Sequence, residues 1–232
     1  MKKTLLIILS VLTISTADAQ TEKRTSLYLN AGVEKEFLPY LSGGVSVEGR
    51  FCDNKTKDLM LKPYVEFSPV KFFSFAAEYR FDFKKEDGEP SETIGRLGLT
   101  AKLKYKFNGF RPEVSLKYYN YNEDYIVNSQ EETKQYLKPK FQLGYRIKPW
   151  KLTPYVSYEW YYNFPRKLVD KDRWIFGAKK KFSNHTFTFE YRLYEKFNRV
   201  NNKGTKVKND ITDNIFLFGY KYTFPYKSKK SE

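Results

Sequence analysis

Alternation of apolar and polar residues with a period of two runs through almost the whole sequence after residue 20. In residues 72–84, Phe73 and Phe75 share one face with Phe81, whereas Glu78 and Arg80 fall on the other. Successive side chains of a β-strand point to opposite faces, so this alternation predicts strands with one apolar face. A composition of 41% hydrophobic and 19% aromatic residues with one cysteine excludes low-complexity and disulfide-scaffold chains.

The alternating segments predict ten strands and a weaker eleventh at residues 26–37. The ten strands lie at 43–52, 58–68, 72–84, 94–107, 111–121, 134–147, 152–164, 171–182, 186–197 and 210–224.

The connections between these strands alternate in length. Short turns are expected at 68–71, 108–110, 148–151 and 183–185, and longer polar loops at 85–93, 122–133, 165–170 and 198–209. Tight turns join antiparallel neighbours, so the order predicts an up-and-down meander whose two ends differ. Short periplasmic turns and longer extracellular loops are typical of outer-membrane barrels.

The first nineteen residues predict a secretory signal peptide. Met1 to Lys3 is a basic start, Thr4 to Ile14 is apolar, and Ala17-Asp18-Ala19 forms a small-residue cleavage site before Gln20. Removing residues 1–19 takes away two lysines and one aspartate, which lowers the formal net charge from +15 to +14. The mature barrel is therefore expected to occupy residues 20–224, in the outer membrane of a Gram-negative cell.

The two faces of the strands differ too strongly for an ordinary sheet core. Eleven residues tilted near 40° span about 28 Å, which matches the hydrocarbon core of a bilayer. One face is aliphatic and aromatic and the other carries charges, whose burial in an apolar core is costly. The alternation therefore predicts a closed transmembrane barrel with lipid outside and polar side chains inside. A soluble, lipocalin-like periplasmic barrel with the faces reversed is the alternative.

Aromatic residues near strand ends are expected to form interfacial girdles. The candidates are Phe107, Trp150, Phe164, Trp174 and Phe182.

The inward face predicts a network of charged side chains in the lumen. Its members are Glu48, Arg50, Glu66, Glu78, Arg80, Asp82, Lys102, Lys104, Glu113, Lys117, Glu159, Arg173, Lys179, Glu190 and Arg192. About eight strands enclose an interior that side chains just fill, so ten strands fit either a plug of charges or a narrow pore. The plug is the favoured reading. If water passes, the excess of Lys and Arg predicts mild anion preference.

The last strand carries an alternating aromatic series that resembles the terminal signal read by the barrel assembly machinery. Its residues are Phe216, Phe218, Tyr220, Tyr222 and Phe224. Residues 225–232 follow as a basic tail, whereas the signal usually ends the chain.

Strand number and direction conflict in this scheme. With a periplasmic C-terminus the ten firm strands, an even number, both begin and end in the periplasm. The segment 26–37 would then have to start outside the cell, which a periplasmic N-terminus forbids. We therefore expect ten strands, with twelve as the alternative.

Several stretches resemble an outer-membrane barrel family known as domain of unknown function 2490, found in Bacteroidota and other Gram-negative bacteria. They are Leu29 to Phe37, Tyr136 to Tyr145, Lys151 to Ser157, Thr186 to Leu193 and Asp213 to Phe224. The resemblance implies a barrel in the outer membrane and no activity.

No constellation predicts an enzyme. His185 is the one histidine, and Ser183 lies beside it in a tight turn, so a membrane-embedded lipid-modifying enzyme is only an alternative. A zinc site needs several His or Cys residues, and the sequence has one of each. The acidic residues Glu86, Asp87 and Glu89 beside Gly88 do not form a calcium-loop pattern. We expect neither metal nor cofactor.

The positive charge favours rim solvation or contact with the phosphates of lipopolysaccharide over binding of nucleic acid. Cys52 is expected to be an inert thiol at a strand end.

Overall fold

The structure is a computed structural model that describes residues 22–52, 57–85, 92–121, 134–165, 167–196 and 211–226. The predicted signal peptide, the acidic residues near Gly88, and residues 227–232 lie outside the described residues. The residues that the structure describes contain no helix long and apolar enough to cross a membrane.

The described residues form eleven strands and no helix. The strands are β1 (Glu22–Leu38), β2 (Leu41–Cys52), β3 (Lys57–Val70), β4 (Phe73–Lys85), β5 (Glu92–Lys104), β6 (Phe110–Tyr121), β7 (Lys134–Tyr145), β8 (Leu152–Asn163), β9 (Leu168–Phe182), β10 (His185–Lys196) and β11 (Ile211–Phe224).

The strands close into one barrel in which each strand pairs with its neighbours in the chain. The prediction of an all-β, up-and-down barrel is confirmed. The predicted count of ten strands, and the alternative of twelve, are wrong for the described chain, because eleven strands share the ring. An odd number forces one parallel junction, and it joins β1 to β11 over Glu22 to Lys35 and Ile211 to Phe224.

Strand β1 is the segment that the sequence reading underestimated. It has 17 residues and is the longest strand described, and it pairs antiparallel with β2 as well as parallel with β11. Hairpin connectivity reveals antiparallel neighbours, whereas a parallel pairing between the two ends of the chain leaves no local signal in the sequence.

Connections at one end of the barrel are short, as predicted, whereas most residues of the predicted long loops lie outside the described residues. We call the end that carries residues 39–40, 71–72, 105–109, 146–151 and 183–184 the turn end, and the opposite end the loop end. At the turn end Asn108 and Gly109 have φ of 45° and 90°, values that Asn-Gly accommodates in a tight hairpin. Because β1 starts at the loop end and β11 finishes at the turn end, residues 22 and 226 lie at opposite ends of the barrel.

The outer and inner faces of the barrel wall carry different kinds of side chain. Every strand exposes large apolar side chains on its outer face, among them Leu29, Val47, Phe67, Phe75, Leu97, Val114, Phe141, Val156, Phe176, Phe189 and Phe218. The residues between them alternate to the inner face and are mostly polar. The five predicted girdle residues are all exposed, although Trp174 lies within β9 because that strand begins at Leu168.

Candidate functional site

The fifteen charged residues predicted for the lumen all lie on the face opposite the exposed apolar side chains. Thirteen of them take part in salt bridges, whereas Glu113 and Lys179 lie together in a cavity at the turn end. Lys179 also lies 4.8 Å from the centre of the Tyr155 ring. The network therefore joins side chains within strands and between nearby strands along the inner wall of the barrel.

Asp82 is the most deeply buried acid of the network, with no exposed side-chain surface. One carboxylate oxygen accepts a hydrogen bond of 2.5 Å from Nε of Arg80, and the other lies 2.9 Å from Nε of Arg96 on the neighbouring strand. Two guanidinium groups thus hold one carboxylate. A buried charge is tolerated when it is paired in this way.

Glu159 forms the second centre, on the other side of the lumen. It is 1% exposed and pairs with Arg173 and with Lys138, whose Nζ lies 3.4 Å away. The hydroxyl of Tyr161 donates a further hydrogen bond of 3.0 Å to the same carboxylate. Three adjacent strands, β7, β8 and β9, are thereby joined on their inner face.

Further ion pairs along the wall complete the network. Glu48 binds Arg50 at 2.7 Å, Glu78 binds Lys117 at 2.5 Å, and Glu190 accepts hydrogen bonds from Arg192 and Tyr155. Glu66 lies 3.3 Å from Lys104 and 3.7 Å from Lys102. Contacts that skip a strand, such as Glu78 of β4 with Lys117 of β6, show that these side chains reach across the curved inner wall.

Glu34 is a member that the sequence reading missed. It accepts hydrogen bonds from Tyr64 at 2.6 Å and from Lys221 at 2.9 Å, so it connects β1 with β3 and β11. The alternation of β1 places Glu34 in the lumen, but this alternation is too weak to predict a firm strand.

A ring of five tyrosines and two isoleucines lines the lumen towards the loop end, and the sequence did not predict it. We call it the tyrosine collar; its members are Tyr28, Ile94, Tyr119, Tyr136, Tyr161, Tyr194 and Ile215. Tyr194 packs against both halves of the collar. Cations of the lumen face its rings, with Arg50 of the network 4.5 Å from the centre of Tyr28 and Lys171 4.9 Å from that of Tyr136.

Cavities remain between the side chains in the lumen. A cavity of about 310 Å³ lies between the collar and the network, and it is lined by Arg50, Glu78, Lys138 and Tyr194 among others. A second cavity of about 270 Å³ lies beside Glu34 and Tyr64, and a third of about 240 Å³ opens among basic residues at the turn end.

His185 lies on the outer, aromatic face at the start of β10. Its Nδ1 is 2.9 Å from the hydroxyl of Tyr220, and its ring packs edge-on against Tyr222. The partner of the histidine is thus a tyrosine of the barrel wall. Within the described ranges no group of three or more His, Cys, Asp or Glu residues could hold a metal ion. Cys52 ends β2, where its sulfur lies 3.3 Å from Oγ of Ser26.

The aromatic series of the last strand lies on the outer face of β11. Phe216, Phe218, Tyr220 and Phe224 are exposed there, and Tyr222 packs against Phe224 with ring centres 4.7 Å apart. This strand also forms the parallel junction with β1.

Neither a protein-family model nor a curated protein matches this sequence. The resemblance to the family of domain of unknown function 2490 therefore stays a prediction.

Proposed function

We propose that this chain is an integral outer-membrane β-barrel whose lumen is plugged, and which acts as a structural component of the cell envelope. The observation that carries the proposal is the outer face, where every one of the eleven strands exposes large apolar side chains. Soluble monomers rarely expose a contiguous apolar patch larger than a few hundred Å². A continuous apolar band around a closed barrel is typical of a lipid-facing surface.

The length of the strands supports the same proposal. The strands contain 12 to 17 residues, whereas strands of soluble proteins average about 5–6. Closure also pairs the backbone groups of every strand, which is the condition for crossing hydrocarbon.

The orientation follows the rule that short turns face the periplasm. The turn end is then periplasmic and the loop end extracellular. Lipid and lipopolysaccharide surround the wall in this arrangement, and the barrel assembly machinery reads the aromatic series of β11.

The plug is favoured over a pore by the contents of the lumen. The tyrosine collar draws side chains from seven strands, and below it Asp82 and Glu159 each tie two cations to the wall. A channel needs a continuous water path, and we propose that these groups interrupt it.

Three measurements test the proposal. Membrane fractionation of expressing cells is expected to place the protein with outer-membrane material that detergent, but not salt, extracts, and unheated samples should migrate faster on gels than heated ones. Recovery in the soluble periplasm would instead support the lipid-binding barrel. Purified protein in planar bilayers is expected to give no steady conductance, whereas a steady current would support the narrow pore.

A further inference from the structure

The cavity at the turn end is lined by an unusual excess of positive charge. Seven cations surround it, together with one carboxylate, that of Glu113; the cations are Lys104, Lys106, Arg111, Arg146, Lys151, Lys179 and Lys181. We call this cavity the basic vestibule.

The cations come from separate elements that the barrel brings together. Arg111 lies at the start of β6 and Arg146 directly follows β7, while Lys179 and Lys181 lie near the end of β9. Lys151 belongs to the turn before β8. Side chains from five consecutive strands and their turns thus converge on one space of about 240 Å³.

Most of these cations have no acidic partner in the part of the chain that the structure describes. Lys104 reaches Glu66 at 3.3 Å, but no salt bridge joins Lys106, Arg111, Arg146, Lys151, Lys179 or Lys181 to a carboxylate. Arg111 lies on the strand adjacent to β7, and it pairs with Gly144, two residues before Arg146. The vestibule differs in this respect from the middle of the lumen, where acids such as Asp82 and Glu159 bind two cations each.

We propose that the basic vestibule is a binding site for phosphate groups. Arginine presents a planar fork of donors that matches the oxygens of phosphate, and charge-assisted hydrogen bonds of this kind are the strong ones. A phosphate group carries more negative charge than one carboxylate and offers several acceptor oxygens, so it neutralises several of the converging cations at once. The hydroxyls of Thr153 and Thr186 supply further donors in the same wall.

The size of the vestibule limits the ligand. Pockets for drug-sized molecules measure about 300–1,000 Å³, and 240 Å³ lies below that range. A compact diphosphate or a single phosphorylated headgroup suits it better than a polymer. The phosphate comes either from a soluble molecule or from a lipid headgroup at the rim, and the chemistry of recognition is the same.

The experiment measures binding of inorganic pyrophosphate to the full-length protein in neutral detergent by isothermal titration. The site variant is R111Q/R146Q, and the matched control is K35Q/K71Q, which removes the same charge from exposed positions outside the vestibule. Saturable binding that becomes at least about tenfold weaker in the site variant, and stays unchanged in the control, is expected. Unheated gel mobility checks that each variant is folded, and K106Q/K181Q replaces the arginine pair if that variant does not fold.

A second arm distinguishes the source of the phosphate. The protein is placed in nanodiscs with phosphatidylglycerol or with phosphatidylcholine, and bound lipid is counted after exchange into detergent. Retention of phosphatidylglycerol that R111Q/R146Q abolishes, without binding of pyrophosphate, assigns the site to a lipid headgroup.

Absence of binding in both arms, or an equal loss in site and control variants, would overturn the proposal. The plug tested in planar bilayers does not enter either arm, so the two proposals fail separately.

Discussion

Lys221 of β11 donates a hydrogen bond of 2.9 Å to Glu34 of β1, across the parallel junction that closes the barrel. Glu34 also accepts from Tyr64 at 2.6 Å, and its side chain is 17% exposed while that of Lys221 is 41% exposed. The junction therefore has a charged clasp on its inner face. Parallel pairing is slightly less stable per residue than antiparallel pairing, so this contact stabilises the weakest type of pairing in the ring.

We expect Glu34→Gln to lower the free energy of unfolding by about 1–2 kcal/mol, because it weakens a charge-assisted hydrogen bond that is only partly screened by water. Glu36→Gln is the matched control on the same strand, since among the described residues Glu36 accepts only from the exposed backbone N–H of Tyr226, at 3.1 Å. The measurement is urea unfolding in detergent, followed by the loss of the fast-migrating form on gels. Equal stability of the two variants would show that the clasp does not stabilise closure.

Asp82→Asn is expected to be more damaging, at about 3–5 kcal/mol, because it removes a fully buried charge and leaves two half-buried guanidinium groups without their counter-charge. Asp172→Asn serves as the control. Asp172 accepts a hydrogen bond from the Tyr158 hydroxyl at 2.9 Å, and asparagine keeps an acceptor oxygen there. The same unfolding assay applies. A cost below about 1 kcal/mol for Asp82→Asn would mean that water or other groups satisfy Arg80 and Arg96.

The tyrosine collar predicts where the plug can be opened. Replacing Tyr119 and Tyr194 by Ala removes two rings of the collar, and we expect steady current in planar bilayers with preference for anions, since cations dominate the lining of the adjacent cavity. Tyr105→Ala/Tyr145→Ala is the control, because both of these rings are exposed. A silent collar variant with normal unheated mobility would place the block in the charge network instead.

Much of the architecture was readable from the sequence because period-two alternation depends on local neighbours. The same alternation assigned Asp82 and Arg80 to one face, and the structure brings both together in one ion pair. It could not reveal that Arg96 shares that carboxylate, since pairing across strands depends on register.

The collar escaped prediction for a different reason. The sequence alternation puts Tyr161 and Tyr194 on the polar face of their strands, but their rings pack as a core once seven strands curve inward. The parallel junction escaped because Glu34 and Lys221 are separated by nearly the whole chain, and no hairpin links them. Local sequence patterns therefore predict the strands, but they do not predict how the barrel closes.

The odd number of strands predicts that the two ends of the described chain face opposite compartments. Glu22 begins β1 at the loop end and Phe224 finishes β11 at the turn end, so an epitope inserted after Gln20 and one added after Glu232 should be separated by the membrane. With the proposed orientation, antibody labels the first on intact cells and the second only after the outer membrane is permeabilised. Labelling of only the second tag on intact cells would reverse the orientation while keeping eleven strands. Labelling of both tags under the same condition would contradict the odd count, because an even number of crossings returns the chain to the side on which it started.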